Sequence, residues 1–190
     1  MPTPDLISRL LDVIELDLLP LTRRGVGGGN KLFGAAILRK SDLSLVIGET
    51  NNETENPLWH GDTKDAIFLA THEPCSLCLS GITWSGFDNF YYLFSYEDTR
   101  DSFGIPHDIR ILREVYAVPD PDRDTVPEDR PLYNRKNAFF ESHAIQQLIA
   151  GIDRSSRELL VARVDDLNAA YNDLSAVYQK DKGKKGIPLS

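Results

Sequence analysis

The chain has 190 residues, 41% of them hydrophobic and 26% charged, and its 21 basic against 29 acidic side chains leave a formal net charge of -8. That composition excludes collagen, coiled coil and a disordered chain, and the acidic balance argues against a polyanion-binding surface, so nucleic acid is not an expected partner. At this length roughly 70% of the unfolded surface can be buried in one core, which predicts a single domain over residues 1–179 with 180–190 as a disordered basic tail.

Leu6, Ile7, Leu10, Leu11, Ile14 and Leu18 share one face at helical spacing, which predicts an amphipathic helix that starts after Pro4 and ends before Pro20. Asp5, Arg9, Asp12, Glu15 and Asp17 interrupt it, so a secretory leader is not expected here. No stretch approaches the roughly 18 apolar residues of a membrane span, and a cytoplasmic protein without a membrane partner is expected. Residues 22–30 hold four glycines and two arginines and read as a flexible connection. Residues 33–38 and 43–47 suit the two arms of a hairpin, and a polar loop follows. The apolar run at 66–70 predicts a buried strand. A helix then begins near Pro74, with apolar residues at helical spacing over 79–84. A strand is expected at 89–94 and a helix at 105–115. Four prolines and several acids over 117–137 mark a long surface excursion. Two closing helices are expected at 139–149 and 159–178, the second carrying Leu160, Val164, Leu167, Tyr171, Leu174 and Tyr178 on its apolar face as a packing or dimer element. Strands alternating with helices define an α/β layered plan.

Cys75 and Cys78 are the two cysteines of the chain. A disulfide between them would close a very small loop and staple little, so the pair reads as metal ligands or a redox couple. Placed at the start of a helix, both sulfurs feel the positive end of its dipole, which favours the thiolate. Two thiolates and one imidazole, His60, make a zinc site with an open fourth position, where a bound water ionises near neutral pH. That donor set is catalytic in type, because a closed structural site needs a fourth Cys or His.

The run Thr71-His72-Glu73-Pro74-Cys75-Ser76-Leu77-Cys78, preceded by Trp59-His60-Gly61-Asp62, resembles the zinc-dependent cytidine deaminase superfamily, whose signature is H-x-E followed by P-C-x-x-C. The resemblance covers residues 30–115. It implies a three-layer α/β/α cytidine-deaminase-like sandwich with extra C-terminal helices, one zinc held by His60, Cys75 and Cys78, and a homodimer. It also implies hydrolytic removal of an exocyclic amine from a small nucleobase-like or nucleoside substrate: zinc hydroxide attacks the ring carbon, a carboxylate shuttles protons, and ammonia leaves. Asn51 or Asn52 resembles the family's base-binding asparagine, and the backbone N–H groups of Gly61 and Cys75 match its substrate-holding donors.

Asp62 stands where the family has glutamate, and one missing methylene retracts the carboxylate by about 1.5 Å. Spacing departs further, for residues 61–65 alone separate His60 from the strand at Ala66, where the family has a whole helix. Such a strap reaches at most about 20 Å, the length of the strand it must traverse, and leaves one face of the sheet uncovered. Three arrangements remain open: a segment absent between Gly61 and Asp62, a catalytically silent zinc-binding scaffold, or a site in which Asp62 carries the protons. A thioredoxin-like redox pair also stays open. His72 and His107 are expected at the surface or beside the site, Glu73 as a brace for the loop before the helix, and Trp84, Phe94 and Phe103 in the core.

Overall fold

The computed structural model describes residues 3–50, 65–116 and 130–181. Asn51, Asn52, Trp59, His60, Gly61 and Asp62 lie outside the described residues, as do 117–129 and 182–190. The elements in order are α1 (Pro4–Asp12), a π-helical segment (Val13–Leu18), α2 (Leu19–Gly27), β1 (Gly34–Arg39), β2 (Leu45–Thr50), β3 (Ala66–His72), α3 (Ser76–Trp84), β4 (Asn89–Phe94), α4 (Tyr96–Asp101), α5 (His107–Val115), β5 (Glu141–Ala144), α6 (Ile145–Ala150) and α7 (Arg154–Asp181).

The strands form one mixed sheet in the order β2-β1-β3-β4-β5. Its β2–β1 and β1–β3 pairs are antiparallel, and β3–β4 and β4–β5 are parallel. Alternation along the strands sends Leu38, Ile67, Leu69, Tyr91 and Leu93 to one face, where they pack with residues of α1, α2, α6 and α7. The other face presents Ala70, Phe90 and Tyr92 to Ile82 of α3, Phe87 and Phe140. Helices on both sides make the predicted α/β/α sandwich. Every residue of β4 is buried, as expected of a strand covered on both faces.

Three elements differ from the sequence reading. The first helix does not stop at Pro20, because the chain widens to i→i+5 bonding over Val13–Leu18, with the Leu19 N–H reaching the Ile14 carbonyl. This removes the demand for a donor at Pro20, which enters the first turn of α2 without a lost hydrogen bond. Burial of Leu18, Leu19, Thr22 and Val26 then carries the helix through the glycine-rich stretch to Gly27. Residues 139–149 are not one helix, since Glu141–Ala144 pairs parallel to β4 as the edge strand and α6 begins only at Ile145. Pairing the open edge of β4 outweighs helix propensity there, and His143 stacks on Tyr91 at 4.7 Å across the new ladder. A short helix, α4, starts at a capping box in which the Ser95 and Asp98 side chains accept each other's backbone N–H.

α7 is the long packing helix expected, and its polar face is tied to its own chain. Arg163, 18% exposed, donates through Nε to Glu15 Oε1 at 2.9 Å, through Nη2 to Asp12 Oδ1 at 2.7 Å and through Nη1 to Ser8 Oγ at 3.0 Å. Arg163→Ala leaves two carboxylates facing each other across the lost cation. The expected loss is about 2 kcal/mol, read as a lower urea midpoint with an unchanged m-value.

Among the described residues no helix is long and apolar enough to cross a membrane.

Candidate functional site

In sheets with parallel strands, ligands gather beyond the carboxyl ends of those strands. Here β3 ends at His72 and β4 at Phe94, paired side by side, and the Glu73 N–H donates to the Phe94 carbonyl at 2.7 Å just past the ladder. The chain from β3 therefore leaves the sheet in a fixed direction. Pro74 follows, and Cys75 in extended backbone becomes the N-cap of α3, its Sγ accepting the Cys78 N–H at 3.4 Å. Pro74 thus precedes the helix instead of occupying its first turn, which leaves both sulfurs at the α3 N-terminus as expected.

The two sulfurs lie 3.4 Å apart and share a hydrogen bond. The hydrogen bond with Cys78 brings the Cys75 pKa well below the ordinary thiol range, against the opposing effect of burial, while the same bond and burial push that of Cys78 up. One thiolate beside one thiol is the state of a dithiol pair before a cation replaces the shared proton. Tetrahedral Zn–S bonds of about 2.3 Å separate two sulfurs by about 3.8 Å, so this pair fits zinc after a shift of a few tenths of an ångström. Among the described residues no group of three or more His, Cys, Asp or Glu is placed to hold a metal. His60, the third donor expected from the sequence, lies outside them, as do Asn51, Asn52, Gly61 and Asp62.

Glu73 braces this corner. Its side chain is wholly enclosed, with Oε1 accepting from the Tyr133 hydroxyl at 2.8 Å and from Arg135 Nη2 at 3.2 Å, and Oε2 from the Tyr96 N–H at 3.1 Å. Burial pushes its pKa up, while Tyr133 and Arg135 hold it down. The Tyr96 hydroxyl in turn donates to the Pro74 carbonyl. Arg135 stays 46% exposed and lies over the Tyr92 ring, 6.0 Å from its centre.

Asp108, in the first turn of α5, completes the neighbourhood. Its charge acts on both thiols and on the Tyr96 hydroxyl, raising the pKa of each. Burial pushes the Asp108 carboxyl up from the ordinary aspartate range, against the influence of Lys31. A carboxyl that holds its proton more tightly than usual, on a helix packed against the one that carries the two sulfurs, is suited to general acid and base work. Sequence reading missed it. The signal available was an acid just after Pro106, where a helix starts. Tyr133 and Arg135 carried no such signal, being 60 and 62 residues from the carboxylate they hold.

His72 is neither a surface group nor a neighbour of the sulfurs. Its ring is buried against Phe33, Phe94, Phe103 and Tyr171, with centroids 4.8–5.6 Å away, and Nδ1 lies 2.9 Å from Thr71 Oγ1. Among the described residues the aromatic enclosure offers no charge partner, so burial drives the imidazole pKa from 6.5 down to about 3. Phe94 and Phe103 are core residues as expected, but Trp84 is not, being 84% exposed on α3.

Titration of His72 predicts a stability slope. The unfolded chain takes up a proton below pH 6.5 and the folded chain refuses it until about pH 3, so this contribution is intact above pH 6.5 and lost as pH falls through that window. By pH 5 the loss reaches about 2 kcal/mol. His72→Phe, which keeps the ring, is expected to flatten that part of the acid limb in urea titrations. An unchanged slope in the variant would mean that His72 takes its proton in the folded state.

No protein-family model matches the chain. No curated protein matches it either. Solved structures with a related course of the chain include the guanine deaminase of Bacillus subtilis, at 21% identity over 62% of this chain and 82% of that one, with a TM-score of 0.42. Another is the guanine deaminase of Nitrosomonas europaea, at 13% identity over 80% of this chain and 81% of that one, also with a TM-score of 0.42.

Proposed function

We propose that this protein is a zinc-dependent aminohydrolase that deaminates a small nucleobase-like or nucleoside substrate. The observation that carries the reading is the pair Cys75 and Cys78 at the N-terminus of α3, beyond the end of a parallel strand, with sulfurs spaced close to the edge of a zinc tetrahedron. Cys75 and Cys78 are two of the donors, and His60 is the proposed third. Zinc in that setting supplies a water whose pKa falls to near neutrality.

The chain's own groups do the rest. A proton must leave the attacking water, and a proton must reach the departing amine so that ammonia is released and a carbonyl remains. Asp108, on α5 packed against α3, holds a raised-pKa carboxyl whose charge reaches both thiols and is suited to carry that proton both ways. Asp62, where the family has glutamate, is the other candidate carboxylate. The Cys75 N–H is proposed as a donor to the substrate, together with the Gly61 N–H and the side chain of Asn51 or Asn52. The net charge of -8 favours a small uncharged heterocycle over a polynucleotide. A cytoplasmic homodimer belongs to the same reading.

The test uses the full chain loaded with zinc, assayed for ammonia with cytosine, guanine, adenine and their nucleosides. Release that stops on chelation and returns with zinc supports the reading. Stoichiometric zinc without ammonia from any of the six rejects deamination of these substrates.

A further inference from the structure

Glu73 poses a question that the proton chemistry leaves unanswered. A fully enclosed carboxylate costs several kcal/mol of lost hydration unless every oxygen is met, and this one stands two residues before a proposed metal ligand. Its oxygens are met from two separate segments: the Tyr96 N–H from the start of α4, and Tyr133 and Arg135 from the stretch before β5. The polar groups leading into Cys75 are tied down as well. The Glu73 N–H donates to the Phe94 carbonyl, and the Pro74 carbonyl accepts the Tyr96 hydroxyl. Tyr96 therefore grips the strand exit twice, through its N–H on the Glu73 side chain and its hydroxyl on the Pro74 backbone.

On the zinc reading of Cys75 and Cys78, we propose that Glu73 is a positioning residue of the metal site. It neither ligates nor carries a proton. Held by Tyr133, it anchors Tyr96, whose hydroxyl fixes the Pro74–Cys75 peptide, which sets the direction of the Cys75 sulfur and of the α3 N-terminus. Groups that orient the ligands of a metal change its affinity by about 10–100-fold when altered. A brace that served folding alone would change stability and leave affinity untouched.

The experiment measures zinc affinity by competition with a chromogenic chelator on the full chain, alongside the thermal midpoint of the metal-free protein. Glu73→Gln is expected to weaken zinc binding by about 10–100-fold, and Tyr133→Phe in the same direction by a smaller factor. Arg163→Ala is the control, since it removes stability at a distance and should leave zinc affinity as it was. Should Glu73→Gln fail to fold, Tyr133→Phe decides. Zinc affinities within about twofold of the native chain in the folded variants overturn the assignment. Failure of the native chain itself to take up zinc overturns the zinc reading beneath it.

Discussion

Cys75→Ser is expected to strip the protein of zinc and of activity while leaving it folded. Serine is as good an N-cap as any residue, so it keeps the bond to the Cys78 N–H that starts α3. What it removes is the thiolate, the group whose pKa the bond with Cys78 lowers. If a zinc site is worth about 10–16 kcal/mol in all, one of three protein donors accounts for enough to lower affinity by at least about 10³-fold. Metal analysis after gel filtration should find well under one zinc per chain, and ammonia release should fall by a similar factor. Cys75→Ala loses the cap as well, so it should show the same zinc loss plus a further drop of about 1 kcal/mol in stability. A Cys75→Ser protein that keeps stoichiometric zinc would remove Cys75 from the ligand set.

Asp108→Asn is the complementary case, in which zinc stays and catalysis goes. The substitution is nearly isosteric, but the amide neither takes nor gives a proton at working pH. A general acid or base contributes typically 10²–10⁴-fold, so kcat should fall by about that much, with KM changed far less. Because the Asp108 charge raises the pKa of both thiols, its removal lowers them. The same change takes a negative charge away from the Zn2+, which opposes that effect, so zinc binding should change little in Asp108→Asn. The limb of the pH–rate profile that reports this carboxyl should vanish with it. Equal kcat values for native and variant would assign the proton transfers elsewhere, with Asp62 next to test.

The layered α/β plan was legible because β3 is a short apolar run between polar flanks and β4 a run of aromatic and apolar residues, with a stretch of helical spacing between them. The buried run of β4 falls on the six residues expected for it. Cys75 and Cys78 at a helix start were equally readable, since Pro74 and the apolar spacing after it are local signals. What sequence reading missed depends on partners distant along the chain. β5 looks helical until the open edge of β4 is there to receive it. Pro20 looks like a stop until a π-helical turn moves the hydrogen-bond register past it. Glu73 was expected as a brace, and its role is visible only through Tyr133 and Arg135, which no spacing rule connects to it. Asp108 belongs with these, because a carboxylate in a helix's first turn is ordinary until the fold packs α5 against α3 and its charge reaches two sulfurs.

The clasp made by Arg163 also has a bearing on synthesis. Arg163 and Glu15 are 148 residues apart, so α1 leaves the ribosome well before the helix that neutralises its acids exists. Until then Leu10, Leu11 and Ile14, all fully buried in the finished protein, lack most of the cover α7 provides. Closing such a distant contact is entropically costly and slow. A nascent chain must carry this sticky amphipathic helix until α7 emerges, which makes that interval the stage at which chaperones and aggregation compete for it.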